Sequence, residues 1–187
     1  MLGDFIEIRL RMISHSPNQR DSQILSIIDE QWQKNDAKKP EMKLLYDHDN
    51  LLLSFNADDQ SKVIRTILPN NITEQMVLLG RFRNTFWLLV IPAEESFNFT
   101  TMTSSTENSI KNIKSISLQP QIGRLNGKLQ FKLGPELLVG NSDINTGFHG
   151  CVYDIDVRSS PSENFTRLGD AHIKSLANVE QCDFECT

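Results

Sequence analysis

Gly147-Phe148-His149-Gly150-Cys151-Val152-Tyr153-Asp154-Ile155-Asp156-Val157 decides the fold class of this chain. It reads as a β-strand entered through a glycine turn, with a cysteine fixed at its start. Strict alternation would put Cys151, Tyr153, Ile155 and Val157 on one face and Val152, Asp154 and Asp156 on the other, the pattern of a half-buried strand. Upstream, Leu133-Gly134-Pro135-Glu136-Leu137-Leu138-Val139-Gly140 reads as the preceding strand.

The same pattern recurs along the chain. Ile6, Ile8, Leu10 and Met12 alternate with Glu7, Arg9 and Arg11, which predicts a strand with one wet face. Residues 14–22 are polar and read as a loop. Ile24, Leu25, Ile28 and Trp32 fit a helical face with Asp21 or Ser22 as N-cap, and 24–28 equally fits a short buried strand; the neighbouring β patterns favour extended structure over 24–32. Met42 to Tyr46 and Leu51 to Phe55 flank Asp47-His48-Asp49-Asn50, turn formers whose side chains bond their own backbone. Val63 to Leu68 is a strand. Met76 to Phe82 and Phe86 to Ile91 form a second hairpin around Arg83-Asn84-Thr85, stopped by Pro92. Residues 100–118 are rich in Ser, Thr and Asn and read as a long loop. Leu129, Phe131 and Leu133 alternate with lysines and Gln130 after the Asn126-Gly127 turn signal. Many short strands without a sustained helix predict an all-β, two-sheet antiparallel β-sandwich, a jelly roll.

Composition bounds the function. The chain has 187 residues, 39% hydrophobic and 23% charged, with a net charge of −5. That is one well-cored domain, without the basic field or stripe that recruits nucleic acid. No apolar stretch approaches the ~20 residues of a membrane span; Phe86 to Ile91 and Leu51 to Leu53 have buried-strand lengths. Met1-Leu2-Gly3-Asp4 runs straight into a strand without a signal peptide, so an extracellular reading makes this chain a piece of a longer one, while an intracellular sandwich with reduced cysteines is the competing reading. The three cysteines are an odd number, so one disulfide and one remaining thiol is the simplest count. Cys182-Asp183-Phe184-Glu185-Cys186 also has the spacing of half a zinc site, but no second cysteine pair or histidine pair completes it.

The residues from about 4 to 182 resemble a laminin G-like domain. The carriers are the Gly150-Cys151 strand, similar to the family's closing "F-x-GC-x-x-d-v", and the Leu133 to Gly140 run, similar to its "lyiGG". Phe5 to Arg11 resembles its early "i-x-F-x-F-R-T" strand, Ile24 to Ile28 its "G-x-L-L-x-Y" strand, and Met42 to Phe55 its "f-l-x-L-x-l-x-d-G-x-L-x-l-x-y" hairpin. Glu74-Gln75-Met76-Val77 stands where the family has Trp-His, and the resemblance places the family's first strand before Met1. It implies a disulfide between Cys151 and Cys182, 31 residues apart, which closes a loop worth roughly 3.5 kcal/mol on entropy grounds; Cys186 is the competitor for either sulfur. Residues 183–187 then open a following module, EGF-like in character, to which Cys186 would belong. The implied role is a non-catalytic module of a cell-surface or matrix protein that binds an extracellular protein or a glycan.

Chemistry sought elsewhere is sparse. There is no Gly-x-Ser-x-Gly elbow, and His15, His48, His149 and His172 are scattered without metal-ligand spacing. Asp154 and Asp156, two residues apart, could serve a glycan-processing jelly roll as paired carboxylates, the alternative to a binding module, or form a solvated outer face. Arg81 and Arg83 on one strand face, with Lys111 and Lys114 in the long loop, could serve a sulfated glycan if they converge in space, or form ordinary solvated faces. Trp32 and Trp87 read as core or hairpin residues. No cofactor is required, but the resemblance implies calcium, which takes oxygen ligands from rim loops; Asp36, in Asn35-Asp36 ahead of Met42, is the candidate metal ligand, with Asp58-Asp59 nearby in the pattern, and ordinary acidic turns explain the same residues.

Three sequons, at Asn71, Asn98 and Asn164, lie between strand patterns and are glycan acceptors in a secreted protein. Material made through a secretory pathway is expected to carry glycans at these asparagines. Site-resolved mass spectrometry checks it, and three bare asparagines would count against the compartment.

Overall fold

In the computed structural model, the structure describes residues 5–15, 18–28, 41–57, 60–68, 74–92, 119–126, 136–140, 148–168 and 176–177. These form two six-stranded sheets. The first runs in the order β11-β10-β1-β6-β7-β8 and the second β12-β9-β2-β3-β4-β5. The strands are β1 (Phe5–Ser14), β2 (Ser22–Ile28), β3 (Glu41–Asp47), β4 (Asn50–Ala57), β5 (Gln60–Ile67), β6 (Glu74–Phe82), β7 (Thr85–Pro92), β8 (Gln121–Arg124), β9 (Glu136–Gly140), β10 (Gly150–Arg158), β11 (Thr166–Arg167) and β12 (Leu176–Ala177). Neighbours pair antiparallel except β12, which lies parallel to β9.

The two-sheet sandwich expected from the sequence is the observed architecture. Residues 24–28 are extended within β2, so the helical spacing there is overridden by sheet pairing with β3 and β9; residues 29–32 lie outside the described residues. The first hairpin turns on His48 and Asp49 alone, with His48 in the left-handed region at φ 51°. The second turns on Arg83 and Asn84, again with a non-glycine left-handed residue, Arg83 at φ 54°. β5 starts at Gln60, earlier than its apolar pattern indicates, because its first residues are polar edge positions. The loop expected at 100–118 and the strand expected at 129–133 lie outside the described residues. β8, β11 and β12 were not legible: they are two to four residues long and carry no alternation.

Ile8, Leu10 and Met12 from β1 meet Leu44, Tyr46, Leu51, Leu53 and Phe55 between the sheets. Phe55 packs on Phe86 at a centroid distance of 5.1 Å, tilted rather than stacked, as ring quadrupoles favour. β6 and β7 are buried on both faces. Val77, Leu79, Phe86, Leu88 and Val90 join the main core, while Met76, Leu78, Leu89 and Ile91 form a second cluster with Phe165. That explains why Phe86 to Ile91 is continuously apolar rather than alternating.

β8 is located by what its glycine lacks. A Cβ on Gly123 would overlap the ring of Phe86, so only the bare backbone passes there. Gly123→Ala is expected to cost about 1–3 kcal/mol through overpacking. Equilibrium denaturation measures it, and a variant as stable as the parent would show that Phe86 has room to move.

Candidate functional site

β10 enters the first sheet through a close approach. A Cβ on Gly150 would strike the carbonyl oxygen of Ile13 and the ring of Phe148, which gives the glycine before Cys151 a steric reason. The entry is held by Gln19, a buried side chain from the β1–β2 connection. Its Nε2 donates to the His149 carbonyl at 2.8 Å, and its Oε1 accepts from the His149 amide at 2.6 Å. The Gln19 carbonyl also accepts from the His48 amide at 2.7 Å, and the His15 amide donates to His149. Three histidines that look scattered in sequence therefore share one rim, arranged by their backbones. Cys151 is buried, and its sulfur lies 3.8 Å from Nε2 of His15.

The strand does not alternate as its sequence predicts. Arg9 pairs with Asp156 and Arg11 with Tyr153, so Leu10 faces both Asp154 and Ile155 across a β-bulge. Asp154 takes the left-handed conformation, φ 51°, which Asp tolerates better than a β-branched residue. Beyond the bulge the faces swap: Val152, Ile155 and Val157 pack against the core, and Tyr153 turns outward to Glu74. The expected grouping of Cys151 and Tyr153 with Ile155 and Val157 is thus corrected by one extra residue. The signal was present in the three-residue spacing from Val152 to Ile155.

The outer face that results carries a ladder of charges. Cross-strand pairing places Glu7 opposite Arg158 and Arg9 opposite Asp156. Both Nε and Nη2 of Arg158 bond Oε2 of Glu7. Asp156 divides its oxygens: Oδ2 accepts from Arg9 Nε at 3.0 Å and Nη2 at 2.6 Å, and Oδ1 from Arg167 Nε at 2.6 Å. Arg167 also reaches Asp154, whose other oxygen lies 3.6 Å from Nε of Arg11. Arg11 bonds Glu74 at 2.8 Å. Phe165 lies against the guanidiniums of Arg9 and Arg158, each 4.8 Å from its centroid. Four arginines meet four carboxylates in these bridges, so the face is charge-neutral.

Asp154 and Asp156 do share the outer face, but it is no solvated one: Asp156 is only 4% exposed and held by two arginines. The wet face expected of β1 is corrected too, since Glu7 is buried. Burial pushes its carboxyl above the ordinary 4.5, and Arg158 offsets that only in part. Tyr153 is pushed up to about 12 by burial and by its bond to Glu74. Glu74 is held low, first by Tyr153 and then by Arg11. Arg81 and Arg83 do not form a shared basic face. Arg81 is 1% exposed, lying 5.5 Å from the Phe55 centroid with Nε on the Arg83 carbonyl, while Arg83 is exposed in the turn. Trp87 packs on Phe5 at 6.2 Å and bonds Glu7. Asn164 is exposed between β10 and β11. Cys182, Cys186, Asp36, Asp58, Asp59, Asn71, Asn98, Trp32, Lys111, Lys114 and His172 lie outside the described residues. Among the described residues no group of three or more His, Cys, Asp or Glu side chains could hold a metal ion. What the face offers instead is an array of donors and acceptors, with Arg11, Glu74, Tyr153 and Asp154 half-buried and Arg167 exposed.

Removing Asp156 leaves Arg9 partly buried without its carboxylate, so Asp156→Ala is expected to cost roughly 3–5 kcal/mol. Asp154→Asn keeps a residue suited to the left-handed bulge and should cost under about 1 kcal/mol. Urea titrations of both variants check the contrast. Glu7 adds a pH signature. Because its folded carboxyl holds its proton longer than the unfolded one, its contribution is full below the ordinary 4.5 and falls as pH rises through the raised folded value. The stability difference between the parent and Glu7→Gln should therefore decline over that window, and a flat difference would contradict it.

No protein-family model matches the sequence, and no curated protein matches it. Solved structures do match the fold. The mouse laminin α1 chain, domains LG4-5, aligns with TM-score 0.57 at 11% identity over 94% of this chain. The LG1-3 region of the laminin α2 chain aligns with TM-score 0.53 at 7% identity over 83%. The chain spans 39% and 27% of those two structures. These alignments lead to one conclusion: the chain has the laminin G-like jelly-roll fold.

Proposed function

We propose that this chain is a non-catalytic extracellular interaction module of a larger cell-surface or matrix protein, and that it binds a protein or glycan ligand. The observation that carries the reading is the laminin G-like fold across 94% of the chain. The outer face of β10, β1 and β6 supports it, since each of its carboxylates, Glu7, Glu74, Asp154 and Asp156, is engaged by an arginine. The module spans residues 4–182, and 183–187 begin an EGF-like neighbour. The Cys151–Cys182 disulfide belongs to this reading. Cys151 is buried at the start of β10, a position that suits a structural cysteine. Glycans at Asn71, Asn98 and Asn164 belong to it also, and the exposure of Asn164 favours one of them. Calcium, with Asp36 as a ligand, is the cofactor that the reading allows without requiring.

Secreted protein immobilised on a biosensor and presented with glycan arrays and extracellular domains tests the reading. Saturable retention without turnover is expected. Hydrolysis of a glycan that is lost in Asp154→Asn or Asp156→Asn would replace it with an enzyme. Peptide mapping is expected to give the Cys151–Cys182 link, and a Cys151–Cys186 link would move the domain boundary beyond 182.

A further inference from the structure

We propose that the outer face of the first sheet beside the β6–β7 turn, formed by Phe82, Arg83, Thr85, Ile122 and Arg124, docks an acidic amphipathic helix of a partner protein. This site, which rests on the interaction-module reading, gives that module a partner class. Phe82 pairs with Thr85, Thr85 with Arg124, and Trp87 with Ile122. Phe86 and its partner Gly123 lie on the core side, so these neighbours share the outer face. The row from Phe82 through Thr85 to Arg124 crosses two interstrand spacings, about 10 Å. Ile122 lies one repeat along β8 from Arg124, about 7 Å away.

Charge, exposure and backbone single out this patch. Phe82 is 38% exposed and Ile122 53%, and both arginines are exposed beside them. Arg9, Arg11, Arg65, Arg158 and Arg167 each have a carboxylate partner, whereas among the described residues none lies within ion-pair reach of Arg83 or Arg124. The Arg83 guanidinium rests 5.0 Å from the Phe82 centroid. Its backbone is at φ 54°, where glycine, asparagine or aspartate is favoured. The bond from Arg81 uses only the Arg83 carbonyl, which any residue would supply. A side chain kept against its backbone preference without a hydrogen bond of its own points to function.

The same side chains choose the occupant. Arg83 already covers Phe82, so the ring is no open platform for a sugar, but its edge and Ile122 can still take aliphatic side chains. Exposed aromatic and arginine side chains together are the composition of a protein-interface core. β7, β8 and the turn between β6 and β7 carry no acidic residue, so a second copy of this face would set cation against cation. In a helix, residues i, i+3, i+4 and i+7 share one face, and the first and last are about 10.5 Å apart. Glutamates at i and i+7 match the roughly 10 Å span between the two arginine positions. Leucines at i+3 and i+4 then lie between them, over Phe82 and Ile122.

The test titrates the ¹⁵N-labelled full chain with a capped, alanine-based helical peptide carrying Glu-x-x-Leu-Leu-x-x-Glu. Saturable amide shifts centred on residues 82–87 and 121–124 are expected, with about a tenfold loss of affinity in Arg124→Gln and in Arg83→Asn. Asparagine suits the left-handed turn, so Arg83→Asn should unfold at the same denaturant concentration as the parent or a higher one. A peptide with lysines for the glutamates, or with the glutamates moved to the opposite helix face, should not bind. Shifts elsewhere, equal affinity in either variant, equal binding of the rearranged peptide, or an Arg83→Asn variant that loses stability along with affinity would overturn the proposal. So would a heparin-derived oligosaccharide shifting these amides where the peptide does not, which would give the patch to an anionic glycan and leave the module reading intact.

Discussion

The pairing of β1 with β10 is the constraint on which the rest depends. It places Glu7 against Arg158 and Arg9 against Asp156, partners about 150 residues apart in the chain. β10 thereby joins β1 to β11, and β1 carries β6, β7 and β8 on its other side. A contact at this sequence separation carries a large loop-closure entropy, which slows its formation. Antiparallel alignment makes the charges complementary, because Glu-x-Arg on one strand meets Asp-x-Arg on the other in reverse order.

Buried charges of this kind are weak evidence for added stability, since desolvation offsets much of the attraction. Their value here lies in register. A one-residue slip of β10 would set Arg9 and Asp156 on opposite faces and drive a charge between the sheets. The bulge at Asp154 is the irregularity of the β1–β10 ladder, and it turns Tyr153 outward while returning Val152 to the core.

Much of the fold was legible because period-2 patterns mark the core-facing side of β1 and β3, although in β1 the charged side is buried as well. β6 and β7 were legible as apolar runs for a different reason, burial on both faces. Legibility failed where local pattern carries no information. Strands of two to four residues have no period, and the Asp154 bulge inverts the alternation that a regular strand would show. The candidate face was half visible: Asp154 and Asp156 stood out as a pair, but nothing in the linear sequence marks Arg9, Arg158 and Arg167 as their partners. Arg81 shows the opposite failure, a cation that sequence assigns to the surface and that packing places over Phe55.

Gln19 has a consequence for how the loops at this rim are coupled. One side chain and its own carbonyl bind the entry to β10 and the tip of the β3–β4 hairpin, and its chain segment follows β1 directly. The three connections at that rim behave as a tripod. A shift of the backbone at residue 19 is therefore felt both at the entry to β10 and at the β3–β4 turn.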